Sequence, residues 1–169
     1  LNVASIAFMA PLGLSMAGSV RVGLAAGAGD RPRVRRAAAL TIALAIAAIM
    51  CVAVPVILAP DLVAGLYLDR DDPANFAVVS LVAKFLVIAA AFMLFDATQV
   101  SCAQALRGLK DVRWPMAITG VAYWAIGFPI AAYLGLGTEI GAVGVWWGLL
   151  TSLFAAAALL AARLYLLTR

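Results

Sequence analysis

The residue with the most distinctive chemistry in this sequence is Asp96, a carboxylate set well inside the apolar run FLVIAAAFMLFDATQVSCAQALRG. A carboxylate at membrane depth costs about 2.5 to 3.5 kcal/mol or more, so such a residue usually has a function. At helical spacing Phe92, Phe95, Asp96, Gln99 and Ala103 share one face. A carboxylate, an amide and two aromatic rings can therefore line one pocket of mixed polarity. A bundle-facing pocket of that kind suits an organic cation or a coupling ion. Where a proton and a cation compete for one carboxylate, each must leave before the other binds, which is the physical core of an antiporter with alternating access. The plainer role for Asp96 is that of a neutral group hydrogen-bonded to a neighbouring helix.

Other chemistry finds little support. The sequence has no His, and Cys51 and Cys102 lie in separate apolar runs with no metal-like spacing, so a zinc site, a disulfide framework and His-based catalysis are not expected. No second carboxylate lies near Asp96 to form an acid dyad, and no GxSxG or P-loop pattern occurs. An enzyme is not expected. Gln99, Gln104, Thr98 and Ser101 are neutral polar groups of the kind that bridge membrane helices for about 0.6 kcal/mol each. Lys84 stands twelve residues before Asp96, about 18 Å along a helix, too far to pair with it. It is expected to snorkel to the outer headgroups.

These residues must be positioned by membrane-spanning helices. The 169 residues are 66% hydrophobic and 12% charged, outside the range of soluble domains. Five apolar stretches, 2–24, 37–59, 76–106, 115–136 and 140–162, are each long enough to cross a hydrocarbon core about 30 Å thick. Runs such as AAALTIALAIAAIMCVAVPVILA are apolar throughout, unlike the alternating strands of a membrane barrel. The expected fold class is therefore an all-α membrane protein. Pro11, Pro55 and Pro129 fall within spans, where neighbouring helices can satisfy the freed carbonyls. The spacings Gly23 to Gly27 and Gly144 to Gly148 are read as packing.

Charge then orients the bundle. Glycines, a proline and charges in GAGDRPRVRR are expected to break the helix between the first two spans. Alternating the connections places Arg21, Arg31, Arg33, Arg35, Arg36, Arg107, Lys110, Arg113, Arg163 and Arg169 on one side, ten of the twelve basic residues, with Arg70 on the other. The positive-inside rule makes that side, and the C-terminus, cytoplasmic, and leaves Leu1 outside. Trp114 and Tyr165 fall near the inner boundary and Tyr67 and Tyr133 near the outer one, as membrane anchors. The net charge of +4 is thus explained by topology, and no nucleic-acid partner is expected. Leu1 reads as an internal start, so the chain is expected to be a piece of a longer protein.

Three segments carry a family likeness: NVASIAFMAPLGLSMAGSVRVGLAAGAGD, then FMLFDATQVSCAQALRGLKDVRWPM, then AYWAIGFPIAAYLGLGTEIGAVGVWWGLL. In this order the sequence resembles the C-terminal half of a multidrug and toxic compound extrusion (MATE) transporter of the NorM type. The likeness covers essentially the whole chain, with FD-x-x-Q-x-x-x-x-x-ALRGLKD as its strongest member. It implies twelve helices in two lobes of six, with these five spans as the eighth to twelfth. It also implies export of amphipathic, often cationic, organic compounds across the cell (inner) membrane in exchange for protons or sodium ions, with no other cofactor. In sodium-coupled members a carboxylate of the tenth helix joins a cation site, and by motif that carboxylate is Asp96. Phe92 stands where some members carry a tyrosine, and the acidic residue of the seventh helix would lie upstream of Leu1.

The implied partners are the lipid bilayer, small organic substrates, and the N-terminal lobe and seventh helix that supply the opposite wall. A large, mostly apolar cavity with a few acidic groups suits such cargo, and the 169 residues alone are expected not to transport. A lipid-linked sugar or metabolite flippase of the same superfamily would need a more basic cavity. A non-transporting helical subunit would use Asp96 for assembly rather than flux.

Overall fold

The computed structural model describes residues 2–58, 76–138 and 141–169. Among them the chain is helical, with no strand: α1 (Asn2–Gly27), α2 (Arg31–Leu58), α3 (Phe76–Gly108), α4 (Arg113–Gly120), a π-helical stretch (Val121–Gly127), α5 (Phe128–Leu136) and α6 (Ala142–Thr168). α4, the π-helical stretch and α5 run on as one span. α1, α2, this compound span and α6 are each long and apolar enough to cross a membrane. α3 adds 33 residues, about 50 Å of helix. The bundle is thus the all-α membrane architecture expected from composition. The roles proposed for Tyr67 and Arg70, and for the side chain of Lys84, fall outside the described residues.

At the turn between α1 and α2 the helices stop and start where backbone groups are capped rather than where apolarity ends. α1 closes with Gly29 in the left-handed region at φ 69°. The Asp30 N–H reaches the Ala25 carbonyl at 3.1 Å and the Gly29 N–H reaches that of Ala26 at 3.1 Å, the paired pattern that ends a helix at a left-handed residue. Asp30 then caps α2, its Oδ1 accepting the Arg33 N–H at 2.9 Å, the reach of an N-cap carboxylate. Only Ala28 to Asp30 therefore interrupt the helix. This corrects the expected break over GAGDRPRVRR: the segment RPRVRR forms the opening turns of α2, because one capping carboxylate satisfies the helix start. α6 likewise extends to Thr168, beyond the expected 162.

The turn after α3 repeats the first one. The Asp111 N–H reaches the Leu106 carbonyl and the Lys110 N–H that of Arg107, both at 2.9 Å. Here Lys110 takes the left-handed position at φ 63°, a conformation uncommon for a residue with a Cβ. Asp111 is then held from the side, its Oδ2 accepting from Arg163 Nε at 3.0 Å. The same guanidinium lies 5.0 Å from the centroid of the Trp114 ring, within cation–π range.

α3 is the hub, packing on α1, α2 and α6, while α5 and the π-helical stretch pack on α6. Small side chains let the helices approach, as membrane interfaces require. One core joins Val22, Ala38, Cys102, Ala105, Leu106 and Leu160, and a second joins Ile49, Met93 and Ala97. Between α1 and α3 the hydroxyls of Ser15 and Ser101 meet at 2.8 Å. Of the small-residue spacings, Gly144 and Gly148 are close-packed. A Cβ at Gly144 would stand 2.5 Å from the Leu134 carbonyl oxygen, and one at Gly148 would collide with the Ala131 backbone. Gly27 has open space around it.

Candidate functional site

One face of α3 carries Phe92, Phe95, Asp96 and Gln99, and from it Phe92 and Phe95 meet α6 and Gln99 meets the π-helical stretch. The stretch has a local cause. Pro129 offers no N–H to the preceding turn, and its ring crowds the carbonyl four residues back. Immediately before it the helix widens, so that the Phe128 N–H bonds the Tyr123 carbonyl five residues earlier, a π-type insertion of the kind that recurs at functional positions. Tyr123 projects from this widened segment, and its hydroxyl donates to Gln99 Oε1 at 2.8 Å.

Asp96 stands one turn before Gln99 and twelve residues from the end of α3, about 18 Å along the axis. It is half-buried and makes no hydrogen bond or ion pair with a described residue. No fully buried side-chain oxygen or nitrogen lacks a partner among the described residues, so the unpaired carboxylate keeps an open side. It lies within electrostatic reach of the Tyr123 hydroxyl. Asp96, Gln99 and Tyr123 thus gather a carboxylate, an amide and a phenol inside the membrane span.

The two phenylalanines are engaged with α6. The Phe92 ring meets Trp146 edge-on at 6.2 Å, and the Phe95 ring meets Phe154 edge-on at 5.4 Å, both within the favourable range for aromatic pairs. They join the site by bracing α3 against α6 beside Asp96. A cleft of about 400 Å³ opens next to Gln99 and is lined by Gln104, Arg107, Thr119, Tyr123 and residues of α1. Gln99 is the one of the four expected site residues that borders it. Tyr123 is not legible in the sequence as a site residue, since its bond to Gln99 joins residues 24 apart and arises from the widened turn; Thr119 borders the cleft from the helix before that turn.

Among the described residues no three His, Cys, Asp or Glu side chains come together to hold a metal ion. A cation at Asp96 would draw its further oxygens from neutral groups such as Gln99 Oε1, or from other parts of a larger assembly.

The family model MatE matches residues 1–133. The chain belongs to the MatE family. This MatE chain is 46% identical over 168 residues to the Multidrug resistance protein NorM of Burkholderia vietnamiensis, covering 99% of the chain and 36% of that protein. It is 44% identical over 169 residues to a Probable multidrug resistance protein NorM of Rhizobium meliloti (strain 1021), covering 100% and 36%. The MatE chain thus spans about a third of the length of these relatives. Its fold matches the crystal structure of the eukaryotic MATE transporter AtDTX14 with a TM-score of 0.85 at 23% identity, over 98% of this chain and 36% of that one. The resemblance drawn from the three sequence segments and the family match agree.

Proposed function

We propose that this MatE chain forms part of a secondary active multidrug exporter that moves amphipathic, cationic organic compounds outward in exchange for protons or sodium ions. The observation that carries this reading is Asp96: an intramembrane carboxylate unpaired among the described residues, in a chain 46% identical to a multidrug resistance protein. The cost of keeping such a group in the membrane is offset when a cation or proton occupies it in turn. Gln99 and Tyr123 present neutral polar atoms to the same occupant, and Phe92 and Phe95 brace the helix that carries it. The reading is transport rather than catalysis. The facing lobe is furnished by sequence corresponding to the part of the NorM relatives that the chain does not span. The protein lies in the inner membrane, with the Arg-rich turns and the C-terminus in the cytoplasm, on the strength of the ten basic residues on that side.

The test is cation efflux in everted membrane vesicles containing the gene product that carries this chain, wild type against Asp96→Asn, under separate proton and sodium gradients. The variant is expected to insert and purify normally and to lose gradient-driven efflux. Efflux at the wild-type rate from well-folded Asp96→Asn protein would refute the proposal.

A further inference from the structure

A cleft of about 380 Å³ opens between α1 and α2 near their shared turn, lined by Arg21, Arg33 and Arg36 together with Leu24 and Leu40. The three arginines are exposed, and none forms an ion pair with a described residue. Asp30, the acid nearest in the chain, turns an oxygen to the Arg33 backbone N–H instead. Arg21 stands six residues before the end of α1 and Arg36 five residues after the start of α2, so both lie about 8 to 9 Å along their axes from the turn. Leu24 is 72% exposed and Leu40 58% exposed, and Leu40 sits one turn deeper than Arg36. Guanidinium groups from two helices thus border one cleft near the turn, with Leu24 on its surface side and Leu40 on its deeper side.

Topology alone asks only for a surplus of basic residues near the span ends; it does not require three of them to line one cavity beside leucines. We infer that this cleft binds the phosphate of an anionic glycerophospholipid. The guanidinium groups donate to the phosphate oxygens, as their forked geometry favours, and an acyl chain lies along Leu40. Basic pockets between membrane helices are suited to such headgroups. Inorganic phosphate shares the chemistry of the head but has no use for the leucines.

Native mass spectrometry decides the matter, on the delipidated gene product in detergent titrated with phosphatidylglycerol, phosphatidylcholine or inorganic phosphate. Phosphatidylglycerol is expected to bind in preference to phosphatidylcholine. Arg21→Gln/Arg36→Gln is expected to lose on the order of tenfold or more in affinity for it, at about fivefold per basic residue. Lys110→Gln/Arg113→Gln removes the same charge away from the cleft and is expected to bind as wild type. Arg21→Gln alone gives the same reading, at about a fivefold loss, if the pair does not fold. Equal affinities across all variants, or equal losses in the two pairs, would overturn the site, and displacement of bound lipid by inorganic phosphate would overturn its assignment to lipid.

Discussion

Two aspartates on or just beyond α3 sit in opposite circumstances. Asp111, at the membrane-surface turn, is mostly buried, ion-paired to Arg163 at 3.0 Å, and that guanidinium also covers Trp114. Asp96, deep in the span, has no hydrogen-bonding or charged partner among the described residues. A carboxylate with its partner in place can hold a turn to a helix. One kept unpaired where its desolvation is most costly is available to something that arrives and leaves. On the proposed function, the contrast separates a fastening from a cation site within about fifteen residues of sequence.

The sharpest way to break this comparison is to neutralise the deep carboxylate. Asp96→Asn is expected to bring coupled efflux down to background while its melting temperature in detergent stays at or above wild type, because the uncharged amide is easier to bury. A stability effect comes next. Gly148→Leu forces a branched side chain against the Ala131 backbone and is expected to cost about 1 to 3 kcal/mol, read as a lower melting temperature by size-exclusion thermostability. Asp111→Asn removes the charged acceptor of Arg163 and is expected to cost about 1 to 2 kcal/mol, with efflux per folded molecule retained. Loss of efflux in folded Asp111→Asn protein would place the two aspartates in the same class. The smallest change is Tyr123→Phe, which deletes the donor to Gln99 and is expected to cost about 0.6 kcal/mol. It is expected to weaken cation affinity without abolishing transport, as measured by the concentration dependence of efflux.

What could be read in the sequence follows from what is local. The spans are announced by composition, and Asp96 by its isolation in an apolar run. That the chain turns within GAGDRPRVRR shows through because glycines, a proline and charges favour a break there. Lys110 in the equivalent position of the second turn carries no such signature, and the start of α2 was hidden because charged residues read as loop until Asp30 is seen to cap them. Contacts between spans were out of reach. The helices are apolar nearly all round, so no polar stripe says which face is inward. Phe92 and Phe95 share a helix face by their spacing, but their ring partners Trp146 and Phe154 lie on a helix fifty or more residues away. The Tyr123 to Gln99 bond depends on a π-helical widening that Pro129 favours but does not specify.

Whether Asp96 is a site or a fastening is tested most directly in proteoliposomes. The gene product that carries this chain is reconstituted as wild type, Asp96→Asn and Asp111→Asn, and uptake of a fluorescent organic cation is followed while a proton or sodium gradient is imposed. The account predicts gradient-driven uptake by wild type and Asp111→Asn and none by folded Asp96→Asn. Undiminished uptake by Asp96→Asn, or its loss only in Asp111→Asn, would contradict it.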